Sequence, residues 1–163
     1  MASRVGIGFD VHAFDPSRPL ILGGVTIEHS QGLLGHSDAD VLTHAVMDAI
    51  LSAMRLGDIG KLFPDTDPAY KGADSIQLLK HVVKLMHQEG FKLVDLDCVI
   101  AAQAPKLSPY REDMRCCLSR ALGVDISQVG VKASTTERLG FVGREEGIAV
   151  WTVCLLERSH TSA

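Results

Sequence analysis

Segments typical of β-strands alternate with segments typical of α-helices along this chain, and that alternation constrains its fold more than any other feature. The strand-like runs are rich in Val, Ile and Leu and are bounded by Gly, Pro or charged residues. These runs are Val5–Phe9, Leu20–Ile27, Leu93–Ala102, Val129–Ala133 and Ile148–Leu156. The pattern predicts an α/β fold of the α+β sandwich type, with helices packed on one face of a small mixed β-sheet.

Three helices are predicted between these strands from their end signals. They run from Ser37 to about Leu56, from about Ser75 to Glu89 and from Ser108 to about Leu122. The first and third helices begin at a serine N-cap, and a glycine follows the end of each helix. No repeat or linker divides the 163 residues, so we expect one domain spanning positions 1–163.

Composition and charge exclude several classes of protein. Hydrophobic residues make up 46% of the chain and charged residues 22%, which excludes a disordered or collagen-like chain. The formal net charge of −4 offers no basic surface for nucleic acid. We also expect no membrane span and no secretory signal, because charged residues interrupt the apolar stretches. The expected location is the cytoplasm, or an organelle stroma after processing, where the four cysteines would stay reduced.

The segment Gly57–Ala73, between the first two predicted helices, is long for a connection and is punctuated by Gly and Pro. A loop of this length is typically a lid, a binding loop or a disordered segment. Its mixture of Asp, Lys and Phe favours a binding loop.

Asp10 and His12 have the spacing of metal ligands, because one intervening residue places both side chains on the same face of an extended strand. A catalytic zinc takes three protein ligands and keeps a fourth position open. His44, on the first predicted helix, is the third candidate. Asp40 and Asp48 flank it one turn away, and one of them could orient a ring N–H of His44. The alternative is an ordinary histidine on a solvated helix face.

Three further segments could bind an anionic ligand, and each has an ordinary structural alternative. His36 and Ser37 precede the first helix, where the positive end of the dipole favours phosphate, although such residues also serve as caps. The turn Ala102–Leu107 could hold a nucleobase or be a plain connection. The hydroxyls of Ser134–Glu137 could hold phosphate and the carboxylate a hard divalent cation, or the segment could be a polar turn.

Seven motifs, in this order and spacing, resemble those of the 2-C-methyl-D-erythritol 2,4-cyclodiphosphate synthase family. They are Gly8–His12, Leu22–Gly24, Gly35–Val41, Asp58–Gly60, Phe63–Asp67, Ala102–Lys106 and Thr135–Phe141. The most diagnostic string is GHSDADV, at Gly35–Val41. The resemblance covers the chain up to its polar end, Arg158–Ala163, which we expect to be a frayed terminus.

The resemblance implies a phosphorus–oxygen lyase of the non-mevalonate isoprenoid pathway. In this family the 2-phosphate of 4-diphosphocytidyl-2-C-methyl-D-erythritol 2-phosphate attacks its own β-phosphate, which releases CMP and closes a cyclic diphosphate. The attacking group is already an anionic oxygen, so the chain needs no Ser or Cys nucleophile and no general base. Two alternatives stay open: a metal-dependent nucleotide phosphoesterase, and a non-catalytic trimer that binds isoprenoid diphosphates.

The resemblance also assigns roles to individual residues. The implied zinc ligands are Asp10, His12 and His44. Glu137 would hold a second ion, magnesium or manganese, that bridges the diphosphate, and His36 and Thr135 would stabilise the transition state as catalytic residues. The implied substrate contacts are Asp10, His12, His36, Ser37, Asp58, Ile59, Gly60, Phe63, Pro64, Asp65, Thr66, Asp67, Ala102, Gln103, Ala104, Pro105, Lys106, Leu107, Ser108, Ser134, Thr135, Thr136, Glu137, Phe141 and Arg144.

Finally, the resemblance implies a homotrimer with active sites between neighbouring subunits. A central cavity in such a trimer could hold an isoprenoid diphosphate near Phe9 and Arg144. Leu51 and Met54, two apolar residues on the polar side of the first helix, would be compatible with burial against a partner subunit.

Overall fold

The computed structural model describes residues 2–159. Its strands are β1 (Ser3–Asp15), β2 (Leu20–Leu22), β3 (Val25–Ile27), β4 (Gly32–Leu33), β5 (Phe91–Ala101), β6 (Val129–Ser134) and β7 (Gly147–Arg158). Five of them form one sheet in the order β4-β1-β7-β5-β6, in which only β5 and β6 are parallel. Strands β2 and β3 form a separate hairpin. The predicted mixed sheet is therefore confirmed, and the run Leu20–Ile27 is two short strands around a glycine turn.

Five α-helices complete the described part of the chain. They are α1 (Val41–Met54), α2 (Ile59–Leu62), α3 (Ser75–Gln88), α4 (Arg111–Leu122) and α5 (Gly140–Gly143). Helix α1 lies against β1 and β7, while α3 packs on β5 and α4 on β6. Within β5, β6 and β7 the residues that face the helices are buried in one apolar core. The helices thus cover one face of the sheet, as the sequence predicts.

Helix α1 is the central element of that core, and twelve of its fourteen residues are buried. Leu51 and Met54 are 1% and 6% exposed within this one chain. They are therefore buried within the subunit, and they offer no apolar surface for a partner. Neighbouring elements of the same chain cover the helix. It therefore has no solvated face of the kind that the alternative interpretation of His44 requires.

The first and third helices begin later than predicted. Ala39 adopts a left-handed backbone conformation with φ of 58°, so the helical path cannot start at Ser37. The N-cap of α1 is Asp40, whose buried carboxylate accepts the N–H of Thr43 at 2.9 Å and also the N–H groups of the Gly23–Gly24 turn. Ser108 likewise does not cap α4, because it opens a 3-10 turn that precedes that helix.

The face of the sheet opposite the helices is apolar and exposed. Alternate residues of β1 and β7 project from it, and they include some of the largest exposed apolar side chains of the described residues. The set is Val5, Ile7, Phe9, Val11, Trp151 and Val153. Phe9 and Trp151 are cross-strand partners whose ring centroids lie 5.0 Å apart. We call this set the open sheet face.

Arg158 and Ser159, which belong to the predicted frayed terminus, are held by contacts with the rest of the fold. Arg158 belongs to β7 and stacks over the ring of Phe91, and the backbone N–H of Ser159 donates to the carbonyl of Gly90. The rest of the predicted frayed terminus, residues 160–163, lies outside the described residues. All four cysteines are free thiols.

None of the helices in the described residues combines the length and the apolar character needed to cross a bilayer.

Candidate functional site

Asp10, His12 and His44 converge on one point between β1 and α1. Oδ2 of Asp10 lies 2.9 Å from Nε2 of His12 and 3.2 Å from Nδ1 of His44. The two histidine nitrogens are themselves 3.2 Å apart. Asp10 and His12 come from the same face of β1, and His44 comes from the first turn of α1. The structure thus brings together the three side chains that the sequence suggests as metal ligands.

The hydrogen bonds of Asp10 Oδ1 and His12 Nδ1 determine which atoms of these two residues can bind a metal. Nδ1 of His12 is 2.6 Å from the carbonyl oxygen of Leu34. A carbonyl only accepts, so Nδ1 carries the proton and Nε2 presents its lone pair to the cluster. Oδ1 of Asp10 accepts the N–H of Val11 at 2.9 Å, which leaves Oδ2 free. A set of imidazole nitrogens and one carboxylate oxygen suits a divalent transition metal such as zinc.

The electrostatics of the cluster also favour a cation. Burial raises the pKa of Asp10, but the adjacent rings of His12 and His44 outweigh burial and hold that pKa well below its usual range. Burial lowers the pKa of His12, and the Asp10 carboxylate outweighs this effect and raises it. Asp10 therefore stays ionised and provides the negative charge that a metal ion would neutralise.

Asp48 does not orient His44, contrary to the sequence-based hypothesis. Its Oδ1 accepts the backbone N–H of Ile59 at 2.8 Å, so it anchors the start of α2. Asp40 does not orient His44 either, because its carboxylate caps α1 and accepts the backbone N–H and the hydroxyl of Thr43. Burial of the Asp48 carboxyl raises its pKa to about 6.

A cavity of about 360 Å³, which we call the metal-side cavity, adjoins the three ligands. Its lining residues are Asp10, His12, Gly35, His36, Ser37, His44, Met47, Ile59, Gly60, Phe63, Asp65, Tyr70 and Leu78. Five come from the predicted binding loop 57–73, which the structure folds around α2 and a 3-10 turn. The predicted contacts Asp58, Pro64, Thr66 and Asp67 do not line this cavity. Asp58 caps α2, and the carbonyl of Asp67 hydrogen-bonds Nε2 of His36 at 3.0 Å.

A second cavity of about 440 Å³, the nucleotide-side cavity, lies at the ends of β5 and β6. Its lining residues are Ala102, Gln103, Pro105, Lys106, Leu107, Ser108, Arg111, Met114, Val131, Lys132, Ala133, Ser134 and Thr135. Both turns that the sequence suggests for binding are thus placed at one cavity. Ala104, Thr136 and Glu137 belong to these turns but do not line it.

The two cavities share no lining residue, so the structure separates the two predicted catalytic residues. His36 lines the metal-side cavity and Thr135 lines the nucleotide-side cavity. Glu137 is exposed, has a backbone φ of 53° and lies outside the group of three ligands. Phe141 and Arg144 line neither cavity, and Arg144 instead pairs with Glu146 at 2.8 Å.

Sequence reasoning missed several residues that shape the metal-side cavity. The Arg18 guanidinium donates to the carbonyls of Gly35 and Ser37 and so fixes the backbone on both sides of His36. Tyr70 packs its ring against Phe63, with centroids 5.2 Å apart. Asp38 and Ser75 lie behind His44. Of these, only Asp38 had a signal in the sequence, because it stands within the GHSDADV string.

Comparison with known proteins identifies the family. A family model described as the YgbB family matches residues 3–157. The 2-C-methyl-D-erythritol 2,4-cyclodiphosphate synthase of Geobacillus kaustophilus is 61% identical over 156 residues, which cover 96% of this chain and 99% of that protein.

Solved structures show the same likeness. The bifunctional IspDF protein of Campylobacter jejuni superposes with a TM-score of 0.93 at 46% identity, over 96% of this chain and 42% of that longer one. The CDP complex of IspF from Plasmodium falciparum gives a TM-score of 0.85 at 33% identity, over 98% of both chains. The chain therefore belongs to the 2-C-methyl-D-erythritol 2,4-cyclodiphosphate synthase family.

Proposed function

We propose that this chain converts 4-diphosphocytidyl-2-C-methyl-D-erythritol 2-phosphate to 2-C-methyl-D-erythritol 2,4-cyclodiphosphate and releases CMP. An oxygen of the 2-phosphate forms a bond to the β-phosphorus, the bond from that phosphorus to the bridging oxygen breaks, and CMP leaves with the electron pair. The convergence of Asp10, His12 and His44 beside a cavity lined by His36 and Ser37 carries the proposal.

Asp10, His12 and His44 are the residues that would hold zinc in this reaction. The two nitrogens and one oxygen match the three protein ligands of a catalytic zinc site, in which the fourth position is left to a substrate or water. Zinc bound there supplies Lewis-acid polarisation of the β-phosphate and lowers the barrier to attack by another anion. The three ligand atoms already lie close together in the fold, so the side chains need no rearrangement to bind the ion.

Glu137 is the proposed ligand of a second ion, magnesium or manganese. One carboxylate is a normal protein contribution for magnesium, which is commonly completed by water and by substrate phosphates. The exposed position of Glu137 next to Thr135 would allow its carboxylate to approach a diphosphate held in the nucleotide-side cavity.

The nucleotide-side cavity has the chemistry to hold cytidine diphosphate. Leu107 and Met114 give it apolar walls for a base, while Lys106 and Lys132 add cations for phosphate oxygens. Thr135, which directly follows β6, also lines the cavity and adds a hydroxyl group. The Plasmodium falciparum relative, whose structure is a CDP complex, supports this class of ligand.

The complete site would form between subunits of a homotrimer. His36 and Thr135 would both have to reach one substrate, yet they lie in cavities of one chain that share no residue. The open sheet face supplies an apolar surface for association, which includes the contacting rings of Phe9 and Trp151. In this arrangement the metal-side cavity of one subunit meets the nucleotide-side cavity of its neighbour. We also propose that an isoprenoid diphosphate binds in a central cavity of this trimer, near Phe9 and Arg144.

The test is product analysis with purified protein, zinc and magnesium in water enriched in oxygen-18. Cyclisation gives CMP and a cyclic diphosphate that carries no solvent oxygen. A phosphoesterase gives a linear phosphate that contains the heavy isotope, and a non-catalytic diphosphate-binding trimer gives no product. Either of these two outcomes contradicts the proposal. His44→Ala should abolish turnover, whereas His87→Ala, at an exposed position near the end of α3, is the matched control and should not.

A further inference from the structure

Behind His44, on the side away from Asp10, lie two linked polar side chains, the buried Ser75 and the half-buried Asp38. Oγ of Ser75 is 2.9 Å from Nε2 of His44. Asp38 holds Ser75 at both of its donors, since Oδ1 accepts the Ser75 hydroxyl and Oδ2 accepts the Ser75 backbone N–H at 3.0 Å. Ser75 is completely buried and His44 is 7% exposed. The chain thus runs from a carboxylate, through a hydroxyl, to a proposed metal ligand.

The direction of the hydrogen bonds in this chain follows from the protons that each group carries. A serine hydroxyl has one proton, and a carboxylate can only accept. The Ser75 proton is therefore donated to Asp38, and Ser75 Oγ can only accept from His44. It follows that Nε2 of the neutral His44 ring carries the proton and that Nδ1 has the free lone pair. Nδ1 is the atom that faces Asp10 and His12.

We propose that Asp38 and Ser75 are positioning residues that fix the tautomer and the ring orientation of His44 for metal binding. The proposal rests on the function proposed above, because it takes His44 as a ligand. The three residues come from separate segments: Asp38 precedes α1, His44 lies on α1 and Ser75 begins α3. Their hydrogen bonds therefore also set the distance between the start of α3 and the metal-side cavity.

Ser37 has a different role from Ser75, although its Oγ also lies 3.1 Å from Nε2 of His44. Ser37 Oγ accepts the N–H of Ala39 at 3.3 Å, and no carboxylate takes its proton among the contacts of the described residues. Because Nε2 already carries a proton, Ser37 can only accept from His44. Its own hydroxyl proton stays available for a phosphate oxygen in the metal-side cavity, which Ser37 lines.

Nitrogen-15 NMR of histidine-labelled, metal-free protein tests the proposal without any catalytic readout. Long-range proton–nitrogen correlations identify which ring nitrogen of a neutral histidine is protonated. We expect His44 to be protonated at Nε2 in the wild type and to populate both tautomers in Ser75→Ala. Protonation of wild-type His44 at Nδ1 would overturn the proposal even if the enzyme is active. Conversely, a correct tautomer in a protein that lacks cyclase activity would count only against the proposed function.

Zinc affinity, measured by competition with a chelator, provides the second readout. Removing a group that orients a metal-bound histidine typically costs about 10-fold to 100-fold in affinity, and we expect a loss of this size for Ser75→Ala. Ser75→Thr keeps the hydroxyl and should recover most of the affinity. Ser119→Ala is the matched control, because Ser119 is also buried but donates to the carbonyl of Cys116, within α4. Equal zinc affinity in Ser75→Ala and Ser119→Ala would contradict the proposal, as would a failure of Ser75→Thr to recover more affinity than Ser75→Ala.

Discussion

A Cβ atom placed on Gly8 would lie 2.0 Å from the backbone carbonyl oxygen of Ala45. Gly6 has the same relationship to Ala49 one turn further along α1, at 1.9 Å. The helix backbone therefore rests directly on the backbone of β1 at two successive glycines. This close approach allows His44, on the first turn of α1, to meet Asp10 and His12 on β1.

Gly8→Ala should disrupt this approach and the metal site together. The added methyl group would clash with backbone atoms, which cannot rotate away, so α1 must move off the strand. We expect a loss of about 3 kcal/mol or more in the free energy of unfolding, together with much weaker zinc binding. Chemical denaturation and zinc titration of the same sample measure the two effects.

Gly60→Ala is the control for this substitution. Its Cβ would come no closer than 3.3 Å to a neighbouring heavy atom, the side-chain Oδ1 of Asp58, and Gly60 lies on the short helix α2. Its stability should stay near that of the wild type. If Gly8→Ala were as stable as Gly60→Ala and bound zinc normally, the packing of α1 on β1 would not be what positions His44.

Asp48→Asn should leave zinc affinity nearly unchanged and alter the dependence of stability on pH. Asp48 contacts the N–H of Ile59 and not a ring nitrogen of His44, so its charge is not needed to orient the ligand. An asparagine oxygen can still accept this N–H. A loss of zinc affinity approaching 100-fold in Asp48→Asn would restore the original hypothesis that Asp48 orients the ligand.

The direction of the pH effect follows from burial, which raises the pKa of Asp48 from 3.8 to about 6. Between these values the unfolded chain has released the proton while the folded chain still holds it. The wild type should therefore lose stability as the pH rises through this window, by about 1 kcal/mol after allowance for solvent screening. Asp48→Asn should lack this loss. Urea denaturation of metal-free protein, at fixed protein concentration on both sides of the window, measures the difference.

Mixed oligomers test whether the active site is shared between subunits. His36→Ala and Thr135→Ala should each be inactive alone, because each damages one of the two cavities. When the two variants are co-expressed, random assembly of a trimer restores both residues in about a quarter of the intersubunit sites, and activity should return in that proportion. No recovery in verified mixed trimers would show that both residues act within one chain.

The sequence predicted the parts of the fold that depend on local pattern. Alternating apolar residues and glycine punctuation placed β5, β6, β7 and α3 closely, whereas β1 continues past its predicted end at Phe9 to Asp15. The start of α1 was misplaced because Ala39 adopts a positive φ, which alanine rarely does, and because Asp40 caps the helix through contacts that include the distant Gly23–Gly24 turn. The short strand β4 carries too few residues to show a period.

In the site, as in the fold, the sequence predicted what depends on local spacing and missed what depends on contacts between distant segments. Asp10 and His12 could be paired from their spacing, since both lie on one strand. His44 could be suggested as the third ligand, but its convergence with this pair depends on two glycines that bring α1 close to β1, which spacing does not reveal. Asp48 was chosen by helical spacing alone, whereas Ser75 reaches His44 from 31 positions away. Spacing within one element cannot reveal a partner on another element.

Anomalous diffraction at the zinc absorption edge, from crystals of zinc-saturated protein, tests the central claim most directly. The account predicts one peak per chain, bonded to Oδ2 of Asp10, Nε2 of His12 and Nδ1 of His44 at about 2.0–2.2 Å. No peak at this position, or a zinc ion bonded through Nε2 of His44, would contradict it.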